Sequence, residues 1–553
     1  MPASAFALVV LAGAVSAGGA TPSAESPAAA LTRLTGDALA VRVTTRAPAE
    51  YAEAARRYDA ILKQLPAIDA RSLGRDDQID ASLLEAHVKT RLWEISTVKL
   101  HQINPSSYLR LDQTSMLFLR PGAIADPGVR EALAELARLP AILGNARLNL
   151  TNPARTWTEN AIYQCYYATL LLDEYVPKAS IDDPALKAEF FAAARSARAA
   201  VADYERWLER DLLPRSTRSP AWSPAEIEFY QFVHEQLDEY GVDRMIEIAA
   251  EEERQLTADM KALATRIHPG GDLRKVWEAM KDEAPPWEGV LPMAQRYVDL
   301  ASAWLRGPGS HVVTIPDYLD YGARITQPMA RRILSFGGAS GGPTVAGRQS
   351  GYYVLTPIED RLTPAEKASR LKSYNPYWTH VISYHEWLGH TVQIAAAKAQ
   401  VTRPMRRGFS SAYFSQSWSF YLEKLFEDEG YFETLPYMEA LKTRMARLQM
   451  RMWRVQRILT KCRMAKGEMT FDQAVQAYID KIGMEPGNAF IEVQRDSQTP
   501  SSPGREIIGE RVILELREEY KRRMGEHYTL KRFNDTLLTY GDLPFKQIRK
   551  LMF

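Results

Sequence analysis

The chain has 553 residues, about a quarter of them charged, and its 69 Lys+Arg against 68 Asp+Glu leave a formal net charge of +1. That length allows a large core and, as a prior, roughly two to four domains. The charge balance, without any Lys/Arg-rich tract interleaved with aromatics, argues against a nucleic-acid partner or an anionic membrane surface. The two cysteines, Cys165 and Cys462, are too few for a disulfide framework or a Cys-type zinc site. Buried free thiols are expected, because cysteine packs as a small apolar residue; a single disulfide is the alternative.

Residues 1–20 read as a secretory signal peptide: Ala5 to Ala17 is apolar and small, and Ser16-Ala17-Gly18-Gly19-Ala20 offers small residues for cleavage. The first basic residue is Arg33, which leaves an apolar N-terminal helix as the alternative. The stretch is too short for a comfortable membrane span, and no later segment resembles one. A periplasmic or secreted protein is therefore expected. Residues 21–32 read as a flexible tether.

Helical periodicity dominates residues 33–306. Glu50–Leu65, Ile79–Leu100, Gly128–Leu150, Thr156–Val176, Pro184–Leu213, Ser223–Tyr240 and Val242–Ile267 carry apolar residues at three- and four-residue spacing. Asp77 and Asp183 supply N-cap chemistry. Gly307-Pro308-Gly309 then marks a boundary to a second region, 307–553. There His311–Pro316 is β-branched and reads as a strand, and Gly351-Tyr352-Tyr353-Val354-Leu355 reads as an edge strand able to pair with an extended peptide. Gly337–Gly342 reads as a loop over a cleft. Helices resume near Pro364, and the arginines of Arg444–Arg457 read as solvated helix faces.

The chemistry concentrates in Ser383-Tyr384-His385-Glu386-Trp387-Leu388-Gly389-His390. Two imidazoles can hold zinc, and a carboxylate beside the first can take a proton from a metal-bound water. The usual spacing of such histidines is four, one face of a helix; here it is five. At ~100° per residue five residues turn ~500°, or ~140° off the face. A π-type bulge absorbs the extra residue, and Gly389 would ease the backbone change. His380 reads as a packing residue. A third ligand is expected on a following helix that starts near Ser411 and carries Gln416, Trp418, Tyr421, Glu423 and Glu427.

This pattern resembles a bacterial family, domain of unknown function 885. The resemblance rests on His385-Glu386-Trp387-Leu388-Gly389-His390, then Gln393, then Gln416-Ser417-Trp418-Ser419-Phe420-Tyr421-Leu422-Glu423. It continues through Ile508-Gly509, Ile513–Glu518, Phe533-Asn534 and Leu537–Pro544. That family is similar to zinc-dependent peptidases of the gluzincin kind, and its motifs read His-Glu-x-x-Pro-Gly-His and Glu-Gly-Trp-Ala-Leu-Tyr-x-Glu. This chain is one residue shorter between the histidines, and it carries Gln416 where the family has its presumed glutamate ligand. A family tyrosine falls at Glu506. The resemblance implies a mainly α, large helical zincin-like metallopeptidase fold with a small β-sheet beside the metal-site helix.

The expected function is an exported zinc-dependent hydrolase of peptide or amide bonds. His385, His390 and Gln416 would hold zinc, Glu386 would be the proton carrier, and a short peptide or peptide-like small molecule would be the substrate. Gln416 is a neutral ligand and leaves the ion's charge uncompensated, which lowers affinity. The alternative is therefore a family member that binds peptide-like ligands without turnover. Glu423 reads as a supporting or surface carboxylate, with a third-ligand role as the alternative only if its helix slides by about ten ångströms, and Trp418, Phe420 and Tyr421 read as packing between the two helices. Tyr353 is a candidate oxyanion donor. Arg406-Arg407 reads as a solvated loop pair, with binding of a substrate carboxylate as the alternative.

Overall fold

The computed structural model describes residues 25–118, 126–331, 334–341 and 349–553; the expected signal peptide lies outside them. The fold is mainly α, with one three-stranded sheet. Where a tether was expected, Pro27–Leu39 is a helix. The Ser26 side chain caps it by accepting from Ala29 N, and proline stands in the first turn, so the local signals favour helix. Asp183 caps Pro184–Trp207 as its position suggests, accepting from Ala185 N and Leu186 N. Asp77 instead sits in the first turn of Arg75–Ser96, behind Gly74.

The helices build two cores. One gathers Asp126–Asn149, Arg155–Leu170 and Pro184–Trp207 around residues such as Leu136, Phe190 and Tyr204. The larger core runs from Leu31 to Ile548 and joins the first helices to the last. The change of texture near residue 307 is therefore a change from helices to sheet, and the core crosses it. Both cysteines are buried free thiols. No helix among the described residues is long and apolar enough to cross a membrane.

The sheet has the order β1 (Tyr318–Ile325), β3 (Gln349–Leu355), β2 (Gly337–Gly341). β3 runs parallel to β1 and antiparallel to β2. This corrects three expectations. His311–Pro316 is turn and irregular chain, and the strand begins at Tyr318. Gly351–Leu355 lies in the central strand, and Gly337–Gly341, expected as a loop, is an edge. The glycines of β2 let it lie close: a Cβ on Gly337 would stand 2.7 Å from Val354 O. In sequence that closeness looks like looseness.

The 29-residue helix Tyr437–Ala465 overturns the reading of Arg444–Arg457 as solvated. Arg447, Arg454 and Arg457 are buried, and so is Lys461. Each is answered from another element. Arg447 meets Glu427, and Arg451 Nη1 lies 2.7 Å from Glu510. Arg454 Nη2 lies 3.5 Å from Glu423, and Arg457 bridges Glu506 and Glu492, the latter at 3.1 Å. Lys461 Nζ donates to the carbonyls of Asp496 and Thr499 at 3.0 and 2.9 Å. Its neighbour one turn back, Arg457, also stacks over Trp453 at 4.9 Å.

Removing one partner of a buried pair leaves the other charge uncompensated, at roughly 3–5 kcal/mol. Arg457→Ala should therefore lower stability on that scale, read from the urea midpoint. Arg56→Ala, which breaks an exposed pair with Glu53, should cost about 1 kcal/mol or less.

Candidate metal centre

Residues His385–Gln393 form a π-helix, continuing the α-helix Pro376–Tyr384. The five-residue spacing becomes intelligible there. A π-helix pairs residue i with i+5, so His385 and His390 stand one above the other. Their Nε2 atoms are 3.1 Å apart, with ring centroids at 4.9 Å. His385, Glu386 and His390 each offer a ligand atom, all within 4.8 Å of one another. His385 is buried, while Glu386 and His390 keep partial exposure. The π geometry spans nine residues, more than the single bulged turn the spacing requires.

Two close approaches hold this segment. On one side, a Cβ on Gly351 of β3 would stand 2.7 Å from Thr391 Cβ. On the other, a Cβ on Gly389 would stand 2.7 Å from Ser419 Cβ and 2.8 Å from Ser419 Cα, on the helix Ala412–Asp428. Gly389 is thus needed for contact with the neighbouring backbone, and the expected role in easing the turn is not its main one. The facing helix is itself fixed. Its N-cap Ser411 bonds Phe414 N, and Glu235 accepts from Ser411 Oγ at 2.6 Å and Ala412 N at 3.2 Å. Trp418 Nε1 donates to Gln393 Oε1 at 2.8 Å, tying the two helices together. Trp418 thus packs between the two helices as expected, whereas Tyr421 lies against Asn534 and Arg517 and Phe420 beneath Arg451 and Arg454, contacts made with later helices.

The facing helix also orients the imidazoles. Glu423 Oε1 lies 2.7 Å from His385 Nδ1, and Ser415 Oγ lies 3.3 Å from His390 Nδ1. The two Nε2 atoms face each other across the remaining gap. A carboxylate on Nδ1 fixes the tautomer and makes the ring a stronger ligand. Glu423 therefore supports His385 from behind, without the helix sliding that direct ligation would demand. Gln416 is half-buried, one residue past Ser415 on the facing helix.

Burial holds both imidazoles well below their usual pKa and hence neutral, the form that binds metal. Burial also pushes Glu386 up to about 7, against the pull of Arg454 and Arg457. Glu506, at the family's tyrosine position, is buried as well; burial would raise it, but Arg457, Arg505 and Arg454 hold it below the usual carboxylate range. This ring of buried charge behind the histidines was missed in sequence. Its signal was the pairing of Glu492 and Glu506 with the regularly spaced Arg454 and Arg457.

Of the other candidates, His380 and Arg406 are engaged elsewhere. His380 stacks on Tyr297 at 4.1 Å and bonds the Tyr431 hydroxyl at 2.8 Å, a packing residue. Arg406 is bound to Asp80 at 2.8 Å and Asp76 at 2.7 Å on the helix Arg75–Ser96, so the reading of a solvated loop pair fails for it. Arg407 is exposed. Tyr353 is fully buried on β3, and its phenol is pushed far up by burial and by the charges of Tyr374 and Glu386.

The donor set suits a zinc ion. Two nitrogens held tetrahedrally at about 2.0–2.1 Å stand roughly 3.3 Å apart, close to the 3.1 Å seen here.

The chain belongs to the family described as bacterial protein of unknown function, DUF885, whose model matches residues 30–552. No curated protein matches it. Two solved structures share its fold. One, from Shewanella oneidensis, is described as "a putative lipoprotein of unknown function"; it is 20% identical, with 94% of this chain and 96% of that one covered and a TM-score of 0.68. The other, a "putative lipoprotein" from Colwellia psychrerythraea, is 17% identical over 96% and 99%, with a TM-score of 0.72. At these identities the likeness speaks for the fold alone.

Gly389→Ala should force the π-helix and the facing helix apart. A cost of about 1–3 kcal/mol is expected for such overpacking. The thermal unfolding midpoint should fall, whereas Ala on open Gly36, inside the helix Pro27–Leu39, should leave it unchanged or raise it.

Proposed function

We propose that this protein is an exported zinc-dependent hydrolase of peptide or amide bonds, zincin-like in its chemistry. The observation that carries the reading is the convergence of His385 Nε2 and His390 Nε2 at 3.1 Å beside the Glu386 carboxylate. Zinc held there would supply Lewis acidity and an acidified water. His385 and His390 bind through Nε2, oriented by Glu423 and Ser415. Glu386 takes up a proton at its carboxylate and returns it to the leaving nitrogen, a task suited to a group poised near neutral pH. Gln416 completes the set as a neutral amide. Glu423, 2.7 Å from His385 Nδ1 and pushed up to about 7 by burial, would supply part of the negative charge that Gln416 lacks when it is ionised. The edge strand β2 lies against the π-helix and offers backbone groups to an extended peptide.

Purified protein should carry about one zinc per chain, measured by plasma emission spectroscopy. Glu386→Gln should keep that zinc and abolish hydrolysis of a peptide library followed by mass spectrometry. Protein that refuses zinc at neutral pH would overturn the reading. Gln416 favours a second reading, a peptide-binding protein without turnover. Hydrolysis that appears only in Gln416→Glu would select it.

Export rests on the apolar, small-residue stretch of residues 1–20 and on the lipoprotein descriptions of the two structural neighbours. Intact-mass measurement should place the mature N-terminus near Thr21. Cytosolic protein retaining Met1 would refute export.

A further inference from the structure

A cavity of ≈ 560 Å³ lies among the first helices, bounded by residues between Ala38 and Arg110. None of its walls belongs to the sheet, the π-helix or the facing helix. Its volume is that of a small-molecule pocket. The floor is apolar, with Val41, Ala54 and Leu100, while four arginines stand around it. Two of these are neutralised: Arg91 pairs with Glu94 at 2.8 Å and Arg110 with Asp112 at 2.6 Å. The other two, Arg42 and Arg46, meet no carboxylate among the described residues. Arg42 Nη1 donates to the carbonyls of Leu39 and Val41, the latter at 2.9 Å, and Arg46 Nη1 donates to Ser107 O. Nε and Nη2 of both guanidinium groups are left to other acceptors.

Arg46 is also held at a cost. Its φ is +61°, a left-handed conformation unusual for any residue but glycine. Two asparagines of the helix Asp126–Asn149 pin that loop from outside: Asn145 donates to Thr45 O at 3.0 Å and Asn149 to Arg46 O at 2.7 Å. The guanidinium lies 5.2 Å over the Tyr108 ring. A strained, pinned loop that aims an uncompensated cation at an apolar cavity is a built feature. His87 and His101 also line it, and burial pushes each to about 4, so they offer neutral hydrogen-bonding groups at neutral pH.

We infer that this cavity is a second ligand site, separate from the histidine centre, which takes a small organic anion with its head on Arg42 and Arg46 and its apolar body on the floor. Guanidinium forks suit carboxylate and phosphate alike, so the shared chemistry is an anionic head on an apolar tail.

The test is isothermal titration calorimetry of the full chain with octanoate, octyl phosphate and octan-1-ol. At least one of the two anions should bind at one site per chain, tighter than the alcohol by roughly tenfold or more, and the arm that binds names the head group. Arg42→Gln, on an exposed side chain, should weaken that anion by a similar factor and leave octan-1-ol unchanged. Arg46→Gln should do the same if circular dichroism shows it folded. The inference is overturned if neither anion binds, if octan-1-ol binds as well as the anions, or if folded Arg42→Gln binds them unchanged.

Discussion

The two histidines stand five positions apart, and the whole architecture around them answers that number. An α-helix would splay the rings, so the segment must be π-helical, and π-helix is rare because its backbone geometry is unfavourable. It survives here because neighbours press on it from two sides. β3 closes on Thr391 where Gly351 lacks a side chain, and the facing helix closes on Gly389 through Ser419. The same small-residue logic repeats one layer out, where a Cβ on Gly509 would stand 2.8 Å from Ser417 Oγ. The histidine geometry is thus a product of tertiary packing on a segment that would relax without it.

Behind that clamp lies an electrostatic layer of equal consequence. Arg454 touches Glu423, Glu423 touches His385, and Arg457 joins Glu506 to Glu492. Every member is buried. A charge buried alone would be prohibitive, so the long helix Tyr437–Ala465 and the elements facing it are specified together. This layer also sets the field in which Glu386 and the imidazoles sit. Burial pushes Glu423, beside His385, up to about 7 against the pull of Arg454, Arg447 and Arg451.

What the sequence disclosed and what it hid follow from the range of each signal. The histidine pair, the helix start near Ser411 and the Asp183 cap are local, and they were legible. So was the Trp418 packing, because the two helices are short neighbours in the chain. The burial of Arg447, Arg454 and Arg457 was not, because arginines spaced by three and four residues give the same pattern on a wet face and on a buried one. Only their distant carboxylates distinguish the cases. The place of Gly351–Leu355 in its sheet was hidden for a related reason: the glycine-rich Gly337–Gly341 carries no strand-like side chains, yet it supplies the outer strand. Glu423 was visible as a supporting carboxylate, but its partner became plain only when the π-helix brought His385 over it.

The ties between the first helices and the late loop carry a kinetic consequence. Asp80 receives Arg403 from 323 positions downstream, and Gln547 donates to Ser82 across 465. Such contacts close long loops, and long loops slow folding. A chain emerging from its N-terminus cannot finish the larger core until nearly its last helix is available. The early helices must wait with apolar faces uncovered, so this topology favours a chain kept unfolded until synthesis ends, and it makes that waiting state the one most exposed to aggregation.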